Sequence, residues 1–222
     1  LAFCLPAFVL SQAVQAGTWK SRYECTLVEN KYNDGDSFHV EWHGREYIFR
    51  LYYVDTPESD TTLEKRVAEQ AEYWGVDPTR IPILAKEASA FTQDFLKDGF
   101  TVYTQYDTAR GRSKLKRYYG MVKVGDQYLS EALVRAGYAR VYGNYVDMLP
   151  DGTSDEKFLT RLRAAERHAK RDALGGWAKE TSAKPLGRGG ALAGRVVIDR
   201  NVTLYSRESP PRQLGTLTSG SV

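Results

Sequence analysis

Between Asp36 and Tyr53 apolar and polar residues alternate in two runs. Phe38, Val40 and Trp42 alternate with His39, Glu41 and His43; Phe49, Leu51 and Tyr53 then alternate with Arg50 and Tyr52. A period of two marks strands with one buried face, and His43-Gly44 punctuates a turn between them. The segments at the open end, DGDSFHV at 34–40 and RLYYVDTPES at 50–59, therefore sit on adjacent strand ends. They carry the carboxylates of Asp36, Asp55 and Glu58 and the guanidinium of Arg50. Acids able to hold a hard cation, beside an arginine shaped to grip a phosphate oxygen, are the parts of metal-assisted phosphodiester chemistry.

Further strands are expected at 100–106, 117–124 and 138–142, and helices at 64–74, 86–96, 129–136 and 154–173. Gly75 closes the first helix, Gly137 stops the third, and Ser154-Asp155 caps the fourth, which ends at Gly175-Gly176. Short strands first, with helices inserted between and after them, predict an α+β fold: a small closed β-barrel with packed helices. A long excursion following Glu58 runs to Pro82.

The formal net charge of +3 over 222 residues is too small to identify a nucleic-acid binder, so the placement of the basic residues matters more. Residues 1–16, LAFCLPAFVLSQAVQA, carry no charge and end in Val14-Gln15-Ala16. They read as the remnant of a secretory signal peptide, too short to span a bilayer, with a buried strand as the alternative. The expectation is a secreted or periplasmic protein. Without that segment Cys25 stands alone, able to form neither an intramolecular disulfide nor a zinc set. His39, His43 and His168 are not spaced as metal ligands and read as solvated surface residues. The main domain is expected over 17–181, followed by a Gly-rich linker at 182–194. Residues 195–222, ending LGTLTSGSV, resemble the start of a bacterial SH3-like module, here truncated.

From Lys31 to Trp177 the sequence resembles the staphylococcal nuclease (thermonuclease) family. DGDS, then Arg50, then LYYVDTPE form the front half of the pattern. EASAFT at 87–92 matches the start of the family's first helix, EALVRAGYARV at 131–141 its second helix and following strand, and AERHAK to Trp177 its last helix. The resemblance implies a five-stranded OB-fold barrel with three main helices, and calcium-dependent cleavage of DNA and RNA that leaves 3′-phosphates. By the same resemblance Asp36 and Asp55 are metal carboxylates and Thr56 offers its main-chain carbonyl. Arg50 grips phosphate, and Glu58 orients or deprotonates water. Ungapped counting puts the family's second arginine at Arg117, while Gly111-Arg112 matches a Gly-Arg pair common in the family and competes for that role.

Each piece has a plainer reading. Asp34-Gly35 is a common tight-turn pair, and Thr56-Pro57-Glu58 is an ordinary helix start. Arg110, Arg112, Lys114 and Lys116, with Tyr118, either form a soluble basic loop or track a nucleic-acid backbone. Tyr142 and Tyr145 either stack a base or close the barrel end. The rival to an enzyme is a non-catalytic single-stranded nucleic-acid-binding OB-fold module. Its degenerate forms lack part of the set Asp36, Arg50, Asp55, Glu58 and Arg117, which is complete here. No segment marks an obligate protein partner.

Overall fold

The computed structural model describes residues 18–110 and 115–178, with the strand backbones at 202–205 and 213–217. The expected signal segment and linker lie outside the described residues. In chain order the elements are β1 (Lys20–Leu27), β2 (Ser37–Trp42), β3 (Arg45–Leu51), β4 (Val54–Asp55), α1 (Glu64–Trp74) and α2 (Ile81–Leu96). There follow β5 (Phe100–Thr104), β6 (Arg117–Val124), β7 (Gln127–Tyr128), α3 (Leu129–Arg135), β8 (Arg140–Val141) and α4 (Asp155–Arg171).

β1, β2 and β3 form an antiparallel meander, and β5 pairs with both β1 and β6. A parallel pairing of β3 with β6, from Ile48↔Arg117 to Leu51↔Gly120, closes the ring. This is the expected five-stranded OB-type barrel. Its interior is filled by the apolar members of the alternating runs, Phe38, Val40, Phe49 and Leu51, together with Val102, Met121 and Val122. Strand alternation thus leaves Arg50 outside the core and half-buried at the barrel end. His39 departs from its expected exposure: it is buried at 9% and lies against Glu46.

Among the described residues there are four α-helices, of which α1 packs against α2 through Val67, Ala71 and Trp74 on Ile81 and Leu84. α1 begins at Glu64 and ends at Trp74, with Gly75 in a left-handed cap at φ 68 that a side chain would strain. It is additional to the three main helices implied by the resemblance, and the long excursion supplies it. α2 starts at Ile81 and not at Lys86, because Pro82 sits in the first turn, where its missing N–H costs nothing. Ala88 and Thr92 of α2 clamp the turn before β2. Thr92 Oγ1 donates to the Gly35 carbonyl at 2.7 Å. A Cβ on Gly35 would stand 2.7 Å from Thr56 Cγ2 and 3.0 Å from Ala88 Cβ. Only glycine lets the turn, the helix and Thr56 meet this closely.

The chain divides into two compact units, Leu1–Lys179 and Glu180–Val222. Within the second, β9 (Val202–Tyr205) and β10 (Gln213–Leu217) pair antiparallel. No described helix is long and apolar enough to cross a membrane.

Candidate active site

Register brings the first acid and the first arginine together. Ser37 and Arg50 are cross-strand partners, and the Leu51 N–H donates to the Asp36 carbonyl at 2.8 Å. Tyr53 then turns the chain away from β3 at φ 73, a left-handed conformation that costs a bulky residue on the order of 1–3 kcal/mol. Its surroundings hold it there. Its N–H donates to Asn144 O at 2.9 Å, and its hydroxyl donates to Val146 O at 2.9 Å. The turn delivers Asp55 into a short antiparallel pairing with β8, opposite Arg140.

One atom, Nη2 of Arg50, lies 2.9 Å from Asp36 Oδ2 and 2.9 Å from Asp55 Oδ1. Asp36 Oδ2 also accepts from the Thr56 N–H at 3.2 Å. Asp55 is fully buried. Its Oδ1 takes Arg66 as well as Arg50, and its Oδ2 takes Arg140 Nε at 2.8 Å and Gln70 Nε2 at 3.0 Å. A carboxylate has about four lone-pair sites, and all of those on Asp55 are used. Gln70 fixes the backbone beyond it, donating to the Thr56 carbonyl at 2.9 Å and accepting from the Glu58 N–H at 2.7 Å. Glu58 Oε1 accepts from the Asp60 N–H at 3.1 Å, and Oε2 stands 2.9 Å from Arg66 Nε.

Asp34 is the turn residue the plainer reading made it. Its Oδ1 accepts from the N–H groups of Asp36 at 3.2 Å and Ser37 at 2.8 Å. Burial, and then the charge of Asp36, push its carboxyl well above the usual range; burial also raises Asp36, against the pull of Arg50. Arg117 opens β6, the strand paired with β3. Neutral oxygens hold it: Ala109 O at 2.7 Å, Ser37 Oγ at 3.3 Å, and the Arg110 carbonyl. Among the described residues no carboxylate pairs with it, whereas Arg50 is flanked by two. Burial and the nearby Arg50 charge lower the Arg117 pKa, against the smaller pull of Asp36 and Asp34.

Two cavities open here. The smaller, about 300 Å³, is lined by Asp34, Asp36, Arg50, Thr56, Glu58, Arg66 and Arg117 among others. The larger, about 740 Å³, is bounded by Arg50, Arg66, Arg110, Arg117, Tyr119, Tyr142, Asn144 and Tyr145 among others. Asp36, Arg50, Thr56, Glu58 and Arg117 are thus brought to one cavity, while Asp55 supports them from beneath. Arg110 and Tyr145 reach the larger cavity. Tyr118 packs edge-on against Tyr106, with ring centroids 5.1 Å apart, and Lys116 is exposed. Arg112 and Lys114 lie outside the described residues.

Sequence reasoning missed Arg66, Gln70 and Arg140. A signal for the first two existed: Gln70 is a polar residue on the buried face of α1, among Val67, Ala71 and Trp74, and Arg66 precedes it by one helical turn. The calcium ion implied by the resemblance has chemically apt donors, since carboxylates and a carbonyl are hard oxygen ligands. Asp34 and Asp36 crowd negative charge onto the wall of the smaller cavity, which a cation there would relieve. Among the described residues, however, no three His, Cys, Asp or Glu side chains converge as a ready metal cage.

Comparison with known proteins gives concordant likenesses. The model of the family described as Staphylococcal nuclease homologue matches residues 48–179. A Bacillus subtilis protein named Endonuclease YncB is 27% identical over 168 residues, covering 74% of this chain and 69% of that protein. An uncharacterized protein of Methanocaldococcus jannaschii is 28% identical over 154 residues, covering 65% of this chain and 67% of its own.

Proposed function

The chain belongs to the staphylococcal nuclease family, and from that premise we propose a metal-dependent nuclease that hydrolyses phosphodiester bonds of DNA and RNA. In this reading calcium is the ion, single-stranded or frayed strands are the substrates, and the products carry 3′-phosphates. One observation carries it most: a single cavity is lined by Arg50 and Arg117 together with Asp36 and Glu58, and no carboxylate among the described residues pairs with Arg117.

Attack on phosphorus adds negative charge to a group that is already anionic, so catalysis consists of fixed positive charge where the oxygens gain it. Arg117, anchored by carbonyls and a hydroxyl, meets a phosphoryl oxygen with no carboxylate to displace. Arg50 meets a second oxygen while Asp36 and Asp55 hold its fork in place. Glu58 lines the same cavity and accepts or orients the proton of the attacking water. Asp36 and the Thr56 carbonyl would hold the ion, while Asp55, its oxygens taken by Arg50, Arg66, Arg140 and Gln70, steadies Arg50 from beneath. When bound, a divalent cation there polarises a phosphoryl oxygen and helps to position water.

The test is incubation of the purified protein with single-stranded DNA and with RNA, in calcium and in excess chelator. Cleavage in calcium that stops in chelator is expected. Binding without cleavage under every metal condition would leave the non-catalytic binding module as the correct reading.

A further inference from the structure

The two cavities have three lining residues in common, Arg50, Arg66 and Arg117. All are arginines, and they form the wall where the cavities meet. Arg66 arrives on α1, within the excursion to which the sequence assigned no role.

The four arginines around Asp36, Asp55 and their neighbours are not equivalent. Arg140 has 11% of its side chain exposed, lines neither cavity, and serves Asp55 from behind. Arg66 keeps 33% of its side chain exposed. It donates through Nη2 to Asp55, which has Arg50, Arg140 and Gln70 as donors without it. Its Nε is buried and ion-paired, 2.9 Å from Glu58 Oε2, so the exposed part of the side chain is what faces the cavities. An arginine one-third exposed on the wall shared by two confluent cavities presents part of its guanidinium to whatever fills them, and a planar fork suits phosphate better than a point charge does.

We propose that Arg66 is a third phosphate-contacting residue, carried by α1, which takes an oxygen of the phosphodiester next to the scissile one where the two cavities meet. The nuclease reading supplies the identity of the strand; the shared cavity wall and the exposed third of the Arg66 side chain supply the place. Arg50 and Arg117 engage the scissile group, so the strand running from the smaller cavity into the larger one passes Arg66 with its adjoining phosphate. The excursion then has a function: it adds a grip on the substrate that the barrel alone lacks.

The experiment titrates a short fluorescent single-stranded oligodeoxynucleotide against the full chain in excess chelator, with and without Arg66→Gln, across a range of salt. Arg66→Gln should weaken binding by about tenfold, as for loss of one charge-assisted hydrogen bond. The slope of log affinity against log salt should fall by about 0.7, one single-strand phosphate contact. Unchanged affinity and slope overturn the proposal. If Arg66→Gln loses cooperative melting, Arg66→Lys in the otherwise unaltered chain decides. Its KM for single-stranded DNA should rise several-fold at an unchanged Tm, and an unchanged KM overturns the proposal as well. Failure of the unaltered protein to cleave in any metal counts against the nuclease reading alone, because the binding titration needs no cleavage.

Discussion

Arg140 Nε donates to Asp55 Oδ2 at 2.8 Å from the position directly across the β4–β8 pairing, in which these two residues are Cα partners. Each of those strands is two residues long, too short to hold itself in place by backbone bonds alone. The buried ion pair fastens the strand after α3 to the floor of the site together with the backbone bonds of Tyr53 to Tyr142 and Asn144. Asp55 therefore has a structural task whatever else it does.

The two aspartates should accordingly separate in stability measurements. Asp55→Asn leaves Arg50, Arg66 and Arg140 facing a neutral amide in a fully buried position, and removing one partner of such a network costs about 3–5 kcal/mol. Asp36→Asn leaves Arg50 still paired with Asp55, so its loss should be clearly smaller, while calcium activation is lost. Urea unfolding of both variants in chelator, followed by activity against calcium concentration, checks this. Equal unfolding midpoints for Asp55→Asn and the parent protein would remove the structural role.

Asp34 yields a prediction about pH. Its folded-state pKa is pushed well up by burial and by Asp36, whereas in the unfolded chain it titrates near about 3.9. Above that value folding must return a proton to the carboxyl, so the contribution of Asp34 to stability falls as pH rises from the unfolded pKa towards the folded one. Asp34→Asn keeps the Oδ1 acceptor for the Asp36 and Ser37 N–H groups and removes this burden. The variant should match the parent below the unfolded pKa and be more stable at neutral pH. Thermal melts in chelator across the acid-to-neutral range read this directly; a gap that does not change with pH would contradict it.

The barrel was legible because its signal is local. Phe38, Val40, Phe49 and Leu51 face inward by simple alternation, and Gly75 marks the end of α1 by its backbone freedom. The acids and Arg50 were legible from spacing, since the β2–β3 register alone brings Asp36 and Arg50 together. What could not be read was which basic residues turn inward. Arg66 and Arg140 sit far apart in sequence, and only the docking of α1 and the β4–β8 pairing aims both at Asp55. α1 itself was expected, but nothing in a short amphipathic helix says where its polar edge will lie once packed. The inward fate of His39 was hidden in the same way, because burial at a barrel surface depends on neighbours such as Glu46 from the next strand.

Glu58 offers the sharpest division between enzyme and binder. Its backbone is fixed by Gln70, one carboxylate oxygen accepts from the Asp60 N–H, and the other faces Arg66. Glu58→Gln preserves size and keeps an acceptor for Asp60, so the protein should fold and melt nearly as before. It removes the charge that accepts or orients a proton of water, and cleavage should fall by about two to four orders of magnitude. Binding to single-stranded DNA should survive, since Arg50, Arg117 and Arg110 remain in place and losing an acid beside them does not weaken their attraction for phosphate. Both quantities must be read on one preparation, by fluorescence binding and by gel cleavage in calcium. Cleavage at the parent rate would reduce Glu58 to the acid of an ordinary helix start. Loss of binding together with cleavage would mean that its pairing with Arg66 holds the substrate wall in shape, which makes it a positioning group and not the acceptor of a proton.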